Sequence, residues 1–294
     1  MKVVAYPTAA EFWQVAGPLF TADPVRNTAT MTVLSRLLVG GRFGDEQPVF
    51  LTVHDTGDGA DLIGAALCTP PFPISVSAVP PRAAGVVAGY LLDTGFRPSG
   101  ASGLQPEVGE FVSVWCRRAG ADVADRMAQR LYRLSELKPP PGVPGEVVEG
   151  GDADVDLLAD WYAGFSRDAL THGRGHWTHA DLVQQVRDRA DAGNGHLIWR
   201  VDGEPVSLAV ASASQHGTSR IGPVYTPKEL RGRGYASAVT AAASQRCLDQ
   251  GAEHVVLFTD LANPVSNAIY QRIGFVPVAD ALDVVFTGPG YRGR

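Results

Sequence analysis

The residue pattern richest in chemical potential runs from Ile221 to Ala236. A strand-like stretch leads into a tight loop holding Gly232 and Gly234, and a long alanine-rich helix then begins. A pyrophosphate calls for this arrangement. Glycines let the backbone approach the anion and take unusual dihedral angles. The first amides of a helix have no partner in the chain, and the helix dipole favours negative charge there. Arg231 and Arg233 add positive charge to the loop. The spacing is not that of a Walker A loop, because no Gly-Lys-Ser/Thr follows. It also differs from the dinucleotide GxGxxG fingerprint, and the unit does not follow the first strand of its half.

A second segment lies about thirty residues further on, from Asn263 through Asn267 and Tyr270 to Gly274-Phe275. Asn263 before Pro264 is on its own a sound helix start, an N-cap followed by proline at the first helical position. With both segments in view, Arg231-x-x-Gly234-x-Ala236 resembles the R/Q-x-x-G-x-G/A pattern of the GNAT superfamily of acyl-CoA N-acyltransferases. The Asn263…Tyr270…Gly274-Phe275 stretch is similar to the segment that follows the fifth strand in that family. The resemblance covers roughly the last 150 residues, and its specific part lies between 219 and 278.

The resemblance implies a set of roles. The strand before the loop, at Pro223, Val224 and Tyr225, would bind the pantetheine arm of acetyl-CoA or another acyl-CoA where the fourth and fifth strands part. The loop Arg231, Gly232, Arg233, Gly234, Tyr235 and Ala236 would hold the pyrophosphate. Asn263 would contact the cofactor arm with Asn267 assisting, and Tyr270 would protonate the departing thiolate. A phenol is a proton donor at neutral pH, as that role requires. The implied reaction is direct attack of a neutral amine on the thioester, with the Tyr225 amide facing the oxyanion and with neither a covalent enzyme intermediate nor a metal. His216, Glu229 and Asp260 are the candidate bases, acting directly or through water. The rival reading is a non-catalytic acyl-CoA sensor or interaction module with the same site.

The elements that must position these residues follow from periodicity and punctuation. Lys138 to Gly145 contains four prolines, which forbid a continuing helix and favour an extended linker. The expected division is 1–138, a linker at 139–145, and 146–294. Each half alternates helices and strands in the same order, with strands at Leu62–Cys68 and Ile74–Ala78 in the first and at Ser219–Tyr225 and His254–Thr259 in the second. This implies an α/β fold with a mixed sheet, built as two tandem GNAT-like domains. In the first half Val79-Pro80-Pro81-Arg82 stands where the loop should be, and its prolines remove donors, so that copy is expected to be degenerate. Trp115 or its neighbours replace the tyrosine. Tandem members of the superfamily, mycothiol synthases among them, often keep one working copy.

Composition bounds the partners. A formal net charge of -6 argues against non-specific binding to nucleic acid or an anionic membrane. Three scattered cysteines fit a reducing cytoplasm, and no apolar run is long enough for a membrane span. The expected partner is a small-molecule or peptide amine acceptor, the expected state a monomer or homodimer. His172, His176 and His179 form a loose trio; Gly173 and Gly175 spoil the helix that a metal pair would need, so no metal is expected. Trp161, Phe165 and Trp177 are read as core, or as an aromatic wall at the acceptor. Asp181, Arg187, Asp188 and Arg189 are read as a solvated helix face.

Overall fold

The computed structural model describes residues 1–57, 61–168 and 177–291. Two of the three histidines in the trio, His172 and His176, lie outside them. The first ten elements are β1 (Lys2–Tyr6), α1 (Ala9–Thr21), α2 (Thr28–Leu38), β2 (Val49–His54), β3 (Leu62–Cys68), β4 (Ile74–Ala78), α3 (Ala84–Asp93), β5 (Gly100–Leu104), α4 (Glu107–Ala119) and β6 (Asp122–Leu134). The next ten are β7 (Glu146–Glu149), α5 (Val155–Asp168), α6 (His179–Asp191), β8 (Gly195–Val201), β9 (Glu204–Ala211), β10 (Thr218–Tyr225), α7 (Tyr235–Asp249), β11 (His254–Asp260), α8 (Pro264–Arg272) and β12 (Phe275–Thr287). The order β-α-α-β-β-β-α-β-α-β thus occurs twice, and the tandem architecture expected from the sequence is present.

The chain forms two compact units, Met1–Leu131 with Val278–Arg294, and Tyr132–Pro277. In the first, the strands run in the order β1-β2-β3-β4-β5-β12-β6. Most neighbours are antiparallel, while β4 and β5 are parallel. β12 lies antiparallel to β5, with Ala281 opposite Leu104 and Val285 opposite Gly100. The last strand of the chain therefore completes the first unit, and the Pro-rich linker lies inside the second. The sequence reading instead divides the units at the linker. Side-chain alternation tells which face of a strand is buried, not which free edge it will pair with.

Alternation sorts the core of this unit onto two sides of the sheet. Leu51 and Val53 of β2 pack with α3 and α4 residues such as Val87, Leu91, Phe111 and Trp115. Phe50, one residue before Leu51, points the other way, to Phe12, Phe20 and Leu34 of α1 and α2. On that second side the hydroxyls of Thr30 and Ser75 bond each other at 2.7 Å. After β4, Pro80 and Pro81 lead directly into the next helical turn, so the amide donors that a phosphate loop would offer are missing there. Trp115 is fully buried and donates its indole N–H to the Tyr291 hydroxyl at 2.6 Å, which makes it part of the core.

In the second unit the order is β11-β10-β9-β8-β7. β10 and β11 are parallel, and the other neighbours are antiparallel. One face packs α7 and α8 through Ile221, Val239, Leu257 and Tyr270. The other packs α5 and α6 through Leu158, Tyr162, Val186, Ile198 and Leu208. α6 starts with a capping box in which Thr178 and Asp181 exchange hydrogen bonds. Among the described residues no helix is long and apolar enough to cross a membrane.

Candidate functional site

The site is built where β10 and β11 part. Their parallel register runs from Thr218 opposite His254 to Ile221 opposite Leu257 and then stops. β10 continues as Gly222, Pro223, Val224 and Tyr225, paired only on its β9 side and with a bulge between Ile221 and Val224. Bulges of this kind bend a strand away from its neighbour and recur beside active sites. Pro223 also has no N–H to offer a ladder. The result is a half-buried strand edge facing an opening, at the carboxyl ends of parallel strands.

The loop after β10 rises through a single turn, Lys228–Leu230, to the first residue of α7. Gly232 and Gly234 both have positive φ, at 80° and 87°. Gly234 caps α7 in the left-handed region, and no side chain caps that helix start. A Cβ added at Gly234 would lie 3.0 Å from Val143 Cγ2, so glycine is required there for space as well as for φ. Tyr235 is buried beneath the loop, whereas Arg231, Gly232, Arg233 and Gly234 are exposed and Ala236 is partly covered.

The two arginines are arranged differently from the sequence expectation. Arg231 donates Nε to the Thr226 carbonyl at 2.9 Å and Nη2 to Asp168 at the end of α5. Lys228 Nζ reaches the other oxygen of the same carboxylate at 3.2 Å. Partial burial opposes the Asp168 charge, but Arg231 and Lys228 outweigh it and hold the carboxyl below the usual carboxylate range. Arg231 thus braces the loop from below. Arg233 donates to the Glu229 carbonyl at 3.4 Å and, among the described residues, forms no ion pair. Sequence reasoning passed over Asp168, which reads as one more polar residue near a helix end.

Around the opening, Tyr225 turns its ring toward α5, 6.3 Å from Trp161, and lies so close to Gly164 that a Cβ there would be 2.5 Å from the tyrosine hydroxyl oxygen. Its carbonyl accepts from Ser207 Oγ at 3.0 Å. Trp161 is buried, which fits the core reading of that residue, and Trp177 is exposed. Tyr270 packs with Ile221, Leu257 and Val239, the residues at the point where the strands part. Among the described residues its hydroxyl has no hydrogen-bond partner, and burial pushes its pKa up to about 12.

The two asparagines serve the backbone. Asn263 accepts the Ser266 amide on Oδ1 at 3.0 Å and so caps α8. Asn267 donates to the Asp260 and Asn263 carbonyls at 2.8 and 2.7 Å and accepts from Tyr132 at 2.9 Å. That leaves it little capacity for a ligand, and its role is to hold the end of β11 against the start of α8. Among the candidate bases, Asp260 ends β11 at the opening and accepts the Ala262 amide at 2.8 Å. His216 sits in the turn before β10, at the far end of that strand from Tyr225, roughly 25 Å away at a strand rise of about 3.3 Å per residue. Among the described residues no group of three or more His, Cys, Asp or Glu is placed to hold a metal.

Beside the opening, on the α5 and α6 side, His196 is buried and shares a 2.9 Å hydrogen bond with the Tyr162 hydroxyl. Burial first, then the nearby Arg189 charge, pulls its pKa down to about 4. An unfolded histidine titrates near 6.5. Between these values the unfolded chain binds more protons, so His196 contributes stability at neutral pH that is lost as pH falls from about 6.5 towards 4. The melting temperature of the protein is expected to fall over that window, and His196→Phe to flatten the fall. An unchanged slope in the variant would assign the acid sensitivity elsewhere.

An acyl-CoA thus finds a fitting frame here: an open strand edge for its amide-rich arm, an uncapped helix start with two flexible glycines for its pyrophosphate, and a protonated phenol packed where the strands part. Residues 156–275 match the acetyltransferase (GNAT) family model. A mycothiol acetyltransferase from Paenarthrobacter aurescens is 30% identical over 214 residues, covering 65% of this chain; the match spans 62% of that relative's own length. A GNAT-family acetyltransferase structure from Colwellia psychrerythraea superposes with a TM-score of 0.63 at 10% identity, covering 98% of this chain and all of that one. A tandem GNAT protein from the clavulanic acid biosynthesis pathway superposes with a TM-score of 0.59 at 13% identity, covering 99% of this chain and all of that one. Residues 156–275 are thus similar to the acetyltransferase (GNAT) family, and the chain over its whole length has the fold of a tandem GNAT protein.

Proposed function

We propose that the second unit transfers an acetyl group from acetyl-CoA to an amine by direct attack in a ternary complex. The observation that carries this reading is the parting of β10 and β11 after Ile221 and Leu257, beside the uncapped start of α7 at Gly234. Pro223, Val224 and Tyr225 line the arm of the acyl donor. The backbone from Gly232 to Ala236 cradles the pyrophosphate, with Arg233 as its exposed cation and Arg231 as the brace. Asn263 and Asn267 act by fixing α8, and Tyr270 faces the leaving sulfur.

The amine nitrogen forms a bond to the thioester carbon as the carbon–sulfur bond breaks. The Tyr225 amide is offered to the carbonyl oxygen, Tyr270 gives its proton to the thiolate, and the proton of the amine leaves through water. The first unit, with prolines in place of the loop, takes no part in donor binding. The name of the curated relatives makes a mycothiol-related amine one arm of an acceptor screen.

Calorimetric titration with acetyl-CoA, followed by thiol release in the presence of an amine panel, tests the reading. One equivalent bound, with thiol released on adding an amine, supports it. Two equivalents would restore a donor site to the first unit. Binding with no release for any amine would turn the reading to a sensor.

A further inference from the structure

Two arginines on the α5 and α6 side of the opening are unused by this scheme. Arg220 lies on β10 immediately before Ile221, the last residue paired with β11. Ile221 and Val224 pack toward α7, so Arg220 points to the opposite face, where Arg189 of α6 sits. Arg189 stacks over the Tyr162 ring, 5.3 Å from its centroid, and reaches the Gly222 carbonyl at 3.5 Å. Both arginines are half-buried. Among the described residues the Arg220 guanidinium has no hydrogen bond or ion pair, and Arg189 has no carboxylate partner. Of the acids on α6, Asp188 accepts from Gln184 at 2.8 Å, Asp181 belongs to the helix cap, and the exposed Asp191 is two residues from Arg189, a spacing that does not place side chains on one helix face. The eight residues at 169–176 contain no Asp or Glu.

Two guanidinium groups close together without a counter-ion work against folding, since each is partly stripped of water and repels the other. Burial, then the Arg189 charge, pulls the Arg220 pKa down to about 10, which still leaves it charged at neutral pH. Arg189 has partial relief, because it lies in the last turn of α6, where the helix dipole favours a cation. Arg220 has none.

The pair lies on the α5 and α6 face of β10, across the sheet from α7. Under the proposed function, with the pyrophosphate at the start of α7 and the donor arm in the gap between β10 and β11, the amine arrives from the α5 and α6 face. We propose that Arg220 and Arg189 form the subsite that holds a carboxylate of the acceptor, so that the amines acetylated here carry an acid group. The guanidinium fork matches a carboxylate with two parallel hydrogen bonds. Gly222 precedes Tyr225 by three residues, about 10 Å of strand. The acid and the amine are therefore separated by a spacer, as in a short peptide or an ω-amino acid.

This inference rests on the transferase reading, and the experiment separates the two. Acetylation of 6-aminohexanoate and glycylglycine is compared with that of their C-terminal amides. The wild type is expected to favour the acids at least about tenfold in kcat/KM, the size of one charge-assisted hydrogen bond. In Arg220→Gln and Arg189→Gln the ratio falls towards one, and Arg220→Lys recovers part of it. Removal of one like charge leaves Arg220→Gln at least as heat-stable as the wild type, so loss of fold does not mimic the result. Independently of turnover, 6-aminohexanoate with coenzyme A raises the melting temperature of the wild type and not of Arg220→Gln. Equal use of acids and amides, or a preference that survives in Arg220→Gln, overturns the inference and leaves the transferase intact. Failure to acetylate any amine, with the carboxylate-dependent thermal shift retained, overturns the transferase reading alone.

Discussion

Gly234→Pro is expected to lower the affinity for acetyl-CoA by a thousandfold or more, the largest effect of any single change in the loop. The native φ is 87°, and proline is confined near about -65°. The substitution therefore forces the loop into another path and removes an amide at the mouth of α7. Proline in an incompatible backbone costs about 3 kcal/mol. A lost hydrogen bond to a charged group adds about 1.5–3 kcal/mol. Together these exceed the roughly 4 kcal/mol that separates millimolar from micromolar binding. Gly234→Ala is the milder companion: its Cβ meets Val143 at 3.0 Å and its φ is strained, so a smaller loss is expected. The loop is exposed, so a circular dichroism melt should show the fold retained. A variant that keeps wild-type affinity by calorimetry would remove the loop from the donor site.

Tyr270→Phe is expected to cut kcat by about a hundredfold to a thousandfold while the dissociation constant for acetyl-CoA stays within twofold, the signature of a group used only as charge develops on sulfur. Two features make this a clean test. Among the described residues the hydroxyl has no partner, so its removal orphans none of them, and the ring keeps its edge-on packing against Phe275. The melting temperature is therefore expected to hold. With its pKa near 12, the phenol also keeps its proton throughout the working range, so any alkaline limb of the rate below pH 10 belongs to another group. A full rate in the phenylalanine variant would assign thiolate protonation to solvent.

The fold was legible in the sequence because its elements are short and punctuated. Leu62–Cys68 and Ile74–Ala78 are read at their exact limits, and Thr178, Gly234 and Asn263 mark helix starts by their chemistry. The shape of the loop was legible because a tight turn into a helix restricts residue type and spacing together, and Gly232 and Gly234 take the positive φ that their spacing implies. What escaped depended on partners remote in sequence. Asp168 gains its role only when α5 ends beside Arg231, 63 residues later. Arg189 reads as one more charge on a polar helix, and only the fold brings it over Tyr162 and beside β10. Asn267 looks like a ligand contact in the sequence, yet Tyr132, 135 residues away, occupies it. The pairing of β12 with β5 belongs to the same class, since an edge is a property of the assembled sheet.

The hydroxyl pair Thr30–Ser75 gives the duplication a direction. β4 holds the same rank in its unit as β10, and on its α1 and α2 side the position is filled by two neutral side chains that satisfy each other at 2.7 Å. On the α5 and α6 side of β10 the second unit instead carries the two cations Arg220 and Arg189. After a gene doubles, a self-satisfied contact is where mutation drifts once nothing is selected for beyond folding, whereas an unbalanced one persists only under continuing selection for a guest. The copy with prolines in place of the loop also carries a neutral, paired contact across the sheet. Under the proposed function, the prolines in place of the loop and the self-satisfied hydroxyl pair both fit a first copy that takes no guest.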